Sequence, residues 1–391
     1  MWKTFQLSTS GVISLPLIKT DMIFLLSTLA FILLLSVLII IHELGHFMAA
    51  RKAGGIVQEF GFGLPPKAKV LFKQGGTSFT INWIPFGGFV RLQGENALTE
   101  EDRLAKGSFG AASIPARIVI LCAGVTMNFL LAIILLTFGF SFGKWIPTYL
   151  SMEDMQRAAD RGVISMELAV HIDEVVSGGN AAKIGVPQNS ILTAVNGIPV
   201  RLPDEVQRLQ AENSVVTYSI LSGEDFSEVE IFTVNLEDGK SGVVLSLLAK
   251  ELSSPKRSLL SSLSLSLRET KIMTEQTIIG ITNLFVSLAK SGKVPEGISG
   301  LVGIAHLTHV SVQQGFMTYL RLVSLLSLSL AVLNILPFPA LDGGRLVFVI
   351  AEFIGRKPVN RRFELIVNGV GFLFLISVIF LITFYDIVRL F

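Results

Sequence analysis

The chain has 391 residues, of which 51% are apolar and only 16% charged, and its mean hydropathy is +0.63. A soluble domain carries about 25% charged residues, so most of this chain is not a string of water-soluble domains. A net charge of +2 leaves no electrostatic footprint for nucleic acid, and a single cysteine, Cys122, excludes an internal disulfide and any multi-cysteine metal site. The composition is that of an integral membrane protein.

A hydrocarbon core takes about 20 apolar residues to cross. Four stretches supply them: Met22 to Ile41, Ile114 to Phe142, Phe316 to Leu336 and Leu365 to Tyr385. In chain order the expected organisation is a tail (1–21), a first membrane helix (22–53), a loop (54–113) and a second helix (114–142). A small α+β domain (160–252), an amphipathic or interfacial region (256–290), a third helix (316–344) and a fourth (363–388) follow. Ile278 to Ala289 is apolar but short, which suits an interfacial or re-entrant segment, and 256–275 reads as an amphipathic surface helix.

Basic residues set the orientation. Arg51, Lys52, Lys67, Lys69, Lys73, Arg91, Arg103 and Lys106 lie between the first two spans, and Arg345, Arg356, Lys357, Arg361 and Arg362 between the last two. Both loops therefore belong in the cytoplasm, with both termini and the long 150–277 connection outside a multi-pass inner or plasma membrane protein. Inside that connection, Val170 to Val176, Ser190 to Val195 and Val215 to Leu221 read as strands, Asn196-Gly197 as a tight turn, and Pro203 to Ala211 as a short helix.

His42-Glu43-Leu44-Gly45-His46 directly follows the first apolar run. Histidines at i and i+4 share a helix face, so both can ligate one metal ion, while Glu43, one step round, can address a water instead. That is the arrangement of a zinc hydrolase: two ligands, a general base and an activated water. Asp342, after the third span, is the candidate third ligand, because that span ends at the same membrane depth as the histidines. If Ile278 to Ala289 crossed the membrane, Asp342 would finish on the opposite side from His42. His306, His309 and His171 read as ordinary polar or strand residues, and Cys122 as a small packed side chain.

These residues resemble the site-two protease family of intramembrane zinc metalloproteases, in its bacterial RseP-like branch. The resemblance rests on His42 to His46, Gly124-Val125-Thr126-Met127-Asn128 and Asn334 through Gly344 with its Leu-Asp-Gly. Glu59-Phe60-Gly61-Phe62-Gly63 and Ile84-Pro85-Phe86-Gly87-Gly88-Phe89-Val90 support it. It implies a fold of four transmembrane helices with a membrane-associated β-hairpin region and one extracytoplasmic PDZ-like domain, seen in Gly179 to Gly185 and Val195 to Val200. It implies zinc held by His42, His46 and Asp342, with Glu43 catalytic. Asn128 and Asn334 would hydrogen-bond the unwound substrate or the oxyanion, and Gly61, Gly63, Gly87 and Gly88 would belong to β segments that meet the substrate. Departures are Val125 and Leu301 where proline is common, and Gln188-Asn189 where Gly-Asp is common.

The implied activity is cleavage of transmembrane segments in single-pass proteins, such as anti-sigma factors or remnant signal peptides, within membrane lipid. The substrate span must unwind, and a strand edge would replace its lost backbone bonds. The sequence names no PDZ ligand. A transporter with an outer binding module explains polar groups at membrane depth but not the ligand-spaced histidines. A proteolytically inactive chaperone does not explain an intact base and ligand set.

Overall fold

The computed structural model describes residues 20–390 except 96, 98, 224, 225 and 227. The expected N-terminal tail (1–21) lies almost wholly outside the described residues. Contacts divide the chain into two compact units, one formed by Lys144–Lys256 and the other by the described residues on either side.

The first half of the flanking unit opens with α1 (Thr20–Lys52), whose charge-free, largely apolar stretch from Met22 to Ile41 leads directly into the histidine motif. β1 (Val57–Gln74) and β2 (Thr77–Leu92) follow as one long antiparallel hairpin. The hairpin is folded back on itself. Phe60 pairs with both Phe79 and Val90, so the first half of β1 is flanked on both sides by β2, and 88–92 is left as an edge. Gly63 and Gly87 take positive φ where the strands bend, a conformation open to glycine. Trp83 is 72% exposed, with Leu71, Phe72 and Ile81 also exposed on the same hairpin. The one-turn α2 (Glu100–Leu104), capped by Thr99, leads into α3 (Ile114–Phe142).

The Lys144–Lys256 unit contains α4 (Met152–Asp160), β3 (Ser165–Val175), α5 (Asn180–Lys183), β4 (Ser190–Val195), β5 (Ile198–Pro199), α6 (Pro203–Ala211), β6 (Val215–Ser222), β7 (Glu228–Asn235) and β8 (Val243–Ser253). Its six-stranded antiparallel sheet runs β7-β6-β4-β3-β8, with β5 on β4. Val170, Ile172, Leu192, Val206, Tyr218 and Ile220 form its own core, sealed by α6. The expected strands, the Asn196-Gly197 turn and the Pro203 to Ala211 helix are all present, and His171 is a strand residue paired with Asp173.

The chain returns to the flanking unit with α7 (Leu259–Ser291), α8 (Leu301–Gln313), α9 (Phe316–Ile335), α10 (Asp342–Gly355) and α11 (Arg361–Leu390). Two expectations are corrected here. The surface helix at 256–275 and the short apolar segment at 278–289 are one helix of 33 residues, so the described residues hold five helices long and apolar enough to cross a membrane. α7 is the least apolar of the five. Ser266 near its start bonds Thr137 near the end of α3, and Gly292 just past its last residue accepts from Tyr385 near the end of α11. Second, the helix expected over 316–344 stops at Ile335, because Pro337 and Pro339 cannot continue it, and a new helix starts at Asp342.

α1, α3 and α9 pack together in this unit, with Leu34 and Leu38 of α1 and Tyr319, Leu322 and Val323 of α9 buried and Leu131 and Leu135 of α3 packed against them. A small residue at the α3–α9 contact, fully buried Ser327, bonds the Asn128 carbonyl of α3 and allows close approach without a hydrophobic driving force, as membrane bundles require. His309, in α8, bonds Ser27 of α1 at 2.9 Å, so it is a helix tie and no part of a metal cluster. A buried ion triad ties α2, α3 and α10 together: Arg103 and Arg117 both donate to Glu352 of α10.

Candidate metal centre

Two helices carry the three residues of the centre. His42 and His46 project from one face of α1, and Asp342 sits in the first turn of α10, where the helix dipole favours a carboxylate. His42 Nε2 lies 2.9 Å from Asp342 Oδ2 and 3.1 Å from His46 Nε2, and His46 Nε2 lies 3.3 Å from the same carboxylate oxygen. Among the described residues this is the one His/Cys/Asp/Glu group whose ligand atoms could share an ion.

The triangle fits zinc. Tetrahedral bonds of about 2.0–2.1 Å separate ligand atoms by roughly 3.3 Å, close to all three edges, and two imidazoles with one carboxylate leave a fourth position open. Second contacts fix the donors. Ile120 O lies 2.8 Å from His46 Nδ1, which makes that nitrogen the protonated one and turns Nε2 to the centre. Space is reserved as well. A Cβ on Gly124 would lie 2.4 Å from His46 Nε2 and 2.8 Å from His42, so the α3 glycine is the cradle of both imidazoles.

The turn before Asp342 is shaped for its place. A Cβ on Gly343 would lie 2.1 Å from Leu336 O and one on Gly344 2.2 Å from Phe338 O, so the two glycines let α10 fold back on the turn. Ala340 carries a φ of 74°, and its N–H donates to Asn368 of α11 at 3.1 Å, while Gly371 passes against Pro339. Neither Asn368 nor Gly371 was legible as a site residue, because only the packing of α11 brings them there.

Beside the ligands lies a cavity of about 300 Å³ whose wall includes Glu43, Asn334, Asp342 and the 89–92 end of β2. Val90 N–H, on the free edge of β2, donates to Glu43 Oε2 at 3.0 Å. Leu92 N–H donates to Glu95, which pairs with Arg345 in the same wall. The strand edge thus holds the carboxylate next to the centre.

The structure brings His42, Glu43, His46, Asp342 and Asn334 to one cavity. It does not bring the other sequence candidates there. Asn128 is fully buried against His42, outside the cavity wall. Gly61, Gly63, Gly87 and Gly88 are also outside it. Gly61 makes room for the Phe89 ring, Gly88 for Gly61 O, and Gly63 and Gly87 serve the hairpin bends.

A family model described as Peptidase family M50 matches residues 30–378. A protein of Clostridium perfringens named "Putative zinc metalloprotease" is 30% identical over 91% of this chain and 97% of its own length. The zinc metalloprotease RasP of Shouchella clausii is 27% identical, with 93% and 99% covered. The regulator of sigma-W protease RasP of Bacillus subtilis is 25% identical, with 94% and 100% covered.

Proposed function

The chain belongs to peptidase family M50 and is a metalloprotease, and from that premise we propose that it is an intramembrane zinc endopeptidase cutting the spans of single-pass membrane proteins. One observation carries the reading: a zinc-sized triangle of His42, His46 and Asp342 on helices flanked by membrane-length apolar runs, beside a cavity holding Glu43. Ionisable groups at that depth are expensive and serve function.

Zinc, when bound by these three residues, supplies a Lewis acid for the scissile carbonyl and lowers the pKa of water at its open position. Glu43 takes the proton from the attacking water at a carboxylate oxygen and returns it to the leaving amine. Asn334, in the wall, offers an amide donor to the developing oxyanion or to the substrate backbone. The 88–92 edge of β2 replaces backbone bonds lost as the substrate span unwinds, because an unpaired amide in hydrocarbon costs several kcal/mol.

In this reading the centre lies near the cytoplasmic side, where the basic loops are expected, α7 is the one of the five long helices that does not cross, and the Lys144–Lys256 unit, PDZ-like in its Gly179 to Gly185 and Val195 to Val200 segments, is extracytoplasmic. The substrate class is that of single-pass regulators such as anti-sigma factors, and of remnant signal peptides, in keeping with the sigma-W regulation named for the Bacillus subtilis relative.

The test is reconstitution in liposomes with a single-span substrate trimmed outside the membrane. Cleavage within the span, abolished by a zinc chelator and by Asp342→Asn, is expected. Cuts confined to residues outside the bilayer, or cleavage untouched by both treatments, would overturn the reading.

A further inference from the structure

Asn128 is 0% exposed, one helical turn beyond Gly124 on the face of α3 that meets the imidazoles. Its amide nitrogen lies 3.5 Å from His42 Nδ1, and its amide oxygen is buried with no partner. His42 Nε2 faces Asp342 and His46, so that nitrogen presents its lone pair to the centre and Nδ1 carries the ring proton. A buried N–H needs an acceptor.

The two ends of an amide have the same shape, and their partners decide which is which. As built, two donors face each other across 3.5 Å; half a turn about the last side-chain bond aims Asn128 Oδ1 at His42 Nδ1–H instead and moves the amide nitrogen to the oxygen's former place. We propose that Asn128 is a positioning residue, whose amide oxygen accepts a hydrogen bond from His42 Nδ1–H and so holds the ring in the tautomer and orientation that ligate the metal. It does not touch the substrate. His46 receives the equivalent service from the Ile120 carbonyl, so each histidine ligand has one acceptor supplied by α3.

Asn128 is itself anchored. Its backbone carbonyl accepts from Ser327 Oγ of α9 at 2.9 Å, within the buried contact of the two helices. The site of the acceptor is therefore fixed on both sides, by His42 and by the helix that leads to Asn334 and Asp342.

This inference rests on the metal reading of the three ligands, and its test separates the two. Zinc affinity is measured on the full chain in detergent by competition with a chelator, using zinc ion alone. Asn128→Leu is expected to weaken zinc by about 10–100-fold, the usual effect of losing a partner behind a ligand. Asn128→Asp, which keeps the acceptor, is expected to bind zinc as tightly as the parent or more tightly. With zinc saturating, both variants keep the parent KM.

His46→Ala is the control, and full zinc in that variant would sink the metal reading itself. If His46→Ala loses zinc while folded Asn128→Leu keeps parental affinity, the positioning role is wrong. A weakened Asn128→Asp, or a raised KM with zinc affinity intact, overturns it too. Should Asn128→Leu fail to fold, Asn128→Asp decides alone.

Discussion

Gly124 faces His46 so closely that a single added carbon would lie 2.4 Å from its Nε2. In a helix interior, replacing glycine with alanine is favourable by about 1 kcal/mol. Gly124→Ala therefore isolates the cost of the crowding. The expected outcome is a folded protein with well under one zinc per chain, because the imidazoles must leave the triangle while α3 is if anything firmer. Metal analysis after gel filtration checks it, and full zinc content would show that the rings have room elsewhere.

Glu43 is held by Val90 N–H beside the ligand atoms and is not one of them. Glu43→Gln keeps a side chain of nearly the same shape that cannot accept the proton. Zinc content is expected to stay at the parent level while cleavage falls by roughly 10²–10⁴-fold, the usual worth of a general base. Loss of the metal in this variant would move Glu43 into the ligand set.

The side of the membrane is open to labelling. Single cysteines at the exposed positions 73, 212 and 357, placed in a Cys122→Ser background, are expected to react from inside, outside and inside in turn. The middle element to watch is α7, whose first turns bond the end of α3 and whose end bonds the end of α11. Labelling of residue 357 from outside would mean that α7 crosses, and the shared depth of His42 and Asp342 would then need another origin.

The buried Glu352 carboxyl gives a pH signature. Burial pushes its pKa up, but the bonds from Arg117, Val359 N–H and Arg103 outweigh that and hold it below its ordinary value of 4.5. A folded-state pKa below the unfolded one gives stability that is complete above pH 4.5 and lost as pH falls through the lowered value. Arg117→Met is expected to cost about 1.5–3 kcal/mol near neutrality, the worth of a hydrogen bond to a charged group. The penalty should shrink below pH 4.5. Thermal unfolding in detergent at several pH values measures it, and a penalty that is equal at all of them would detach Arg117 from the carboxyl.

The three candidate ligands could be picked out in the sequence because their information is local. His42 and His46 share a face by spacing alone, and Asp342 was picked out by the expected depth at which two apolar runs end; the structure brings its carboxylate to both rings. What surrounds the ligands was not legible. The rotation of α3 decides that Gly124 and Asn128 face the imidazoles, so Asn128 could not be told from Asn334 by motif, although one is sealed behind His42 and the other lines the cavity. α7 reads as two pieces because polar residues at 268–276 interrupt its apolar character, while nothing breaks its backbone. β7 escaped because Val229 and Ile231 point to solvent, at 70% and 68% exposure, against the usual alternation. The break at Pro337 and Pro339 was visible in the letters, and the re-start of a helix at Asp342 was the reading that they allowed but that a continuous apolar run obscured.

The Lys144–Lys256 unit has its own core, and no residue of the metal centre or of the cavity wall falls within 165–250. A module inserted between two membrane helices can exclude bulky partners or capture a newly exposed chain end without joining the chemistry. Replacing 165–250 with a short flexible linker is therefore expected to leave cleavage of a trimmed single-span substrate within a few-fold of the parent. The same deletion should raise cleavage of a substrate that still carries a folded domain outside the membrane. Both substrates are compared with intact and deleted enzyme in reconstituted membranes, with zinc content as the check on folding. A deleted enzyme that is folded and zinc-loaded but cuts neither substrate would make the unit part of the working site, and one that still rejects the untrimmed substrate would place the filter elsewhere in the chain.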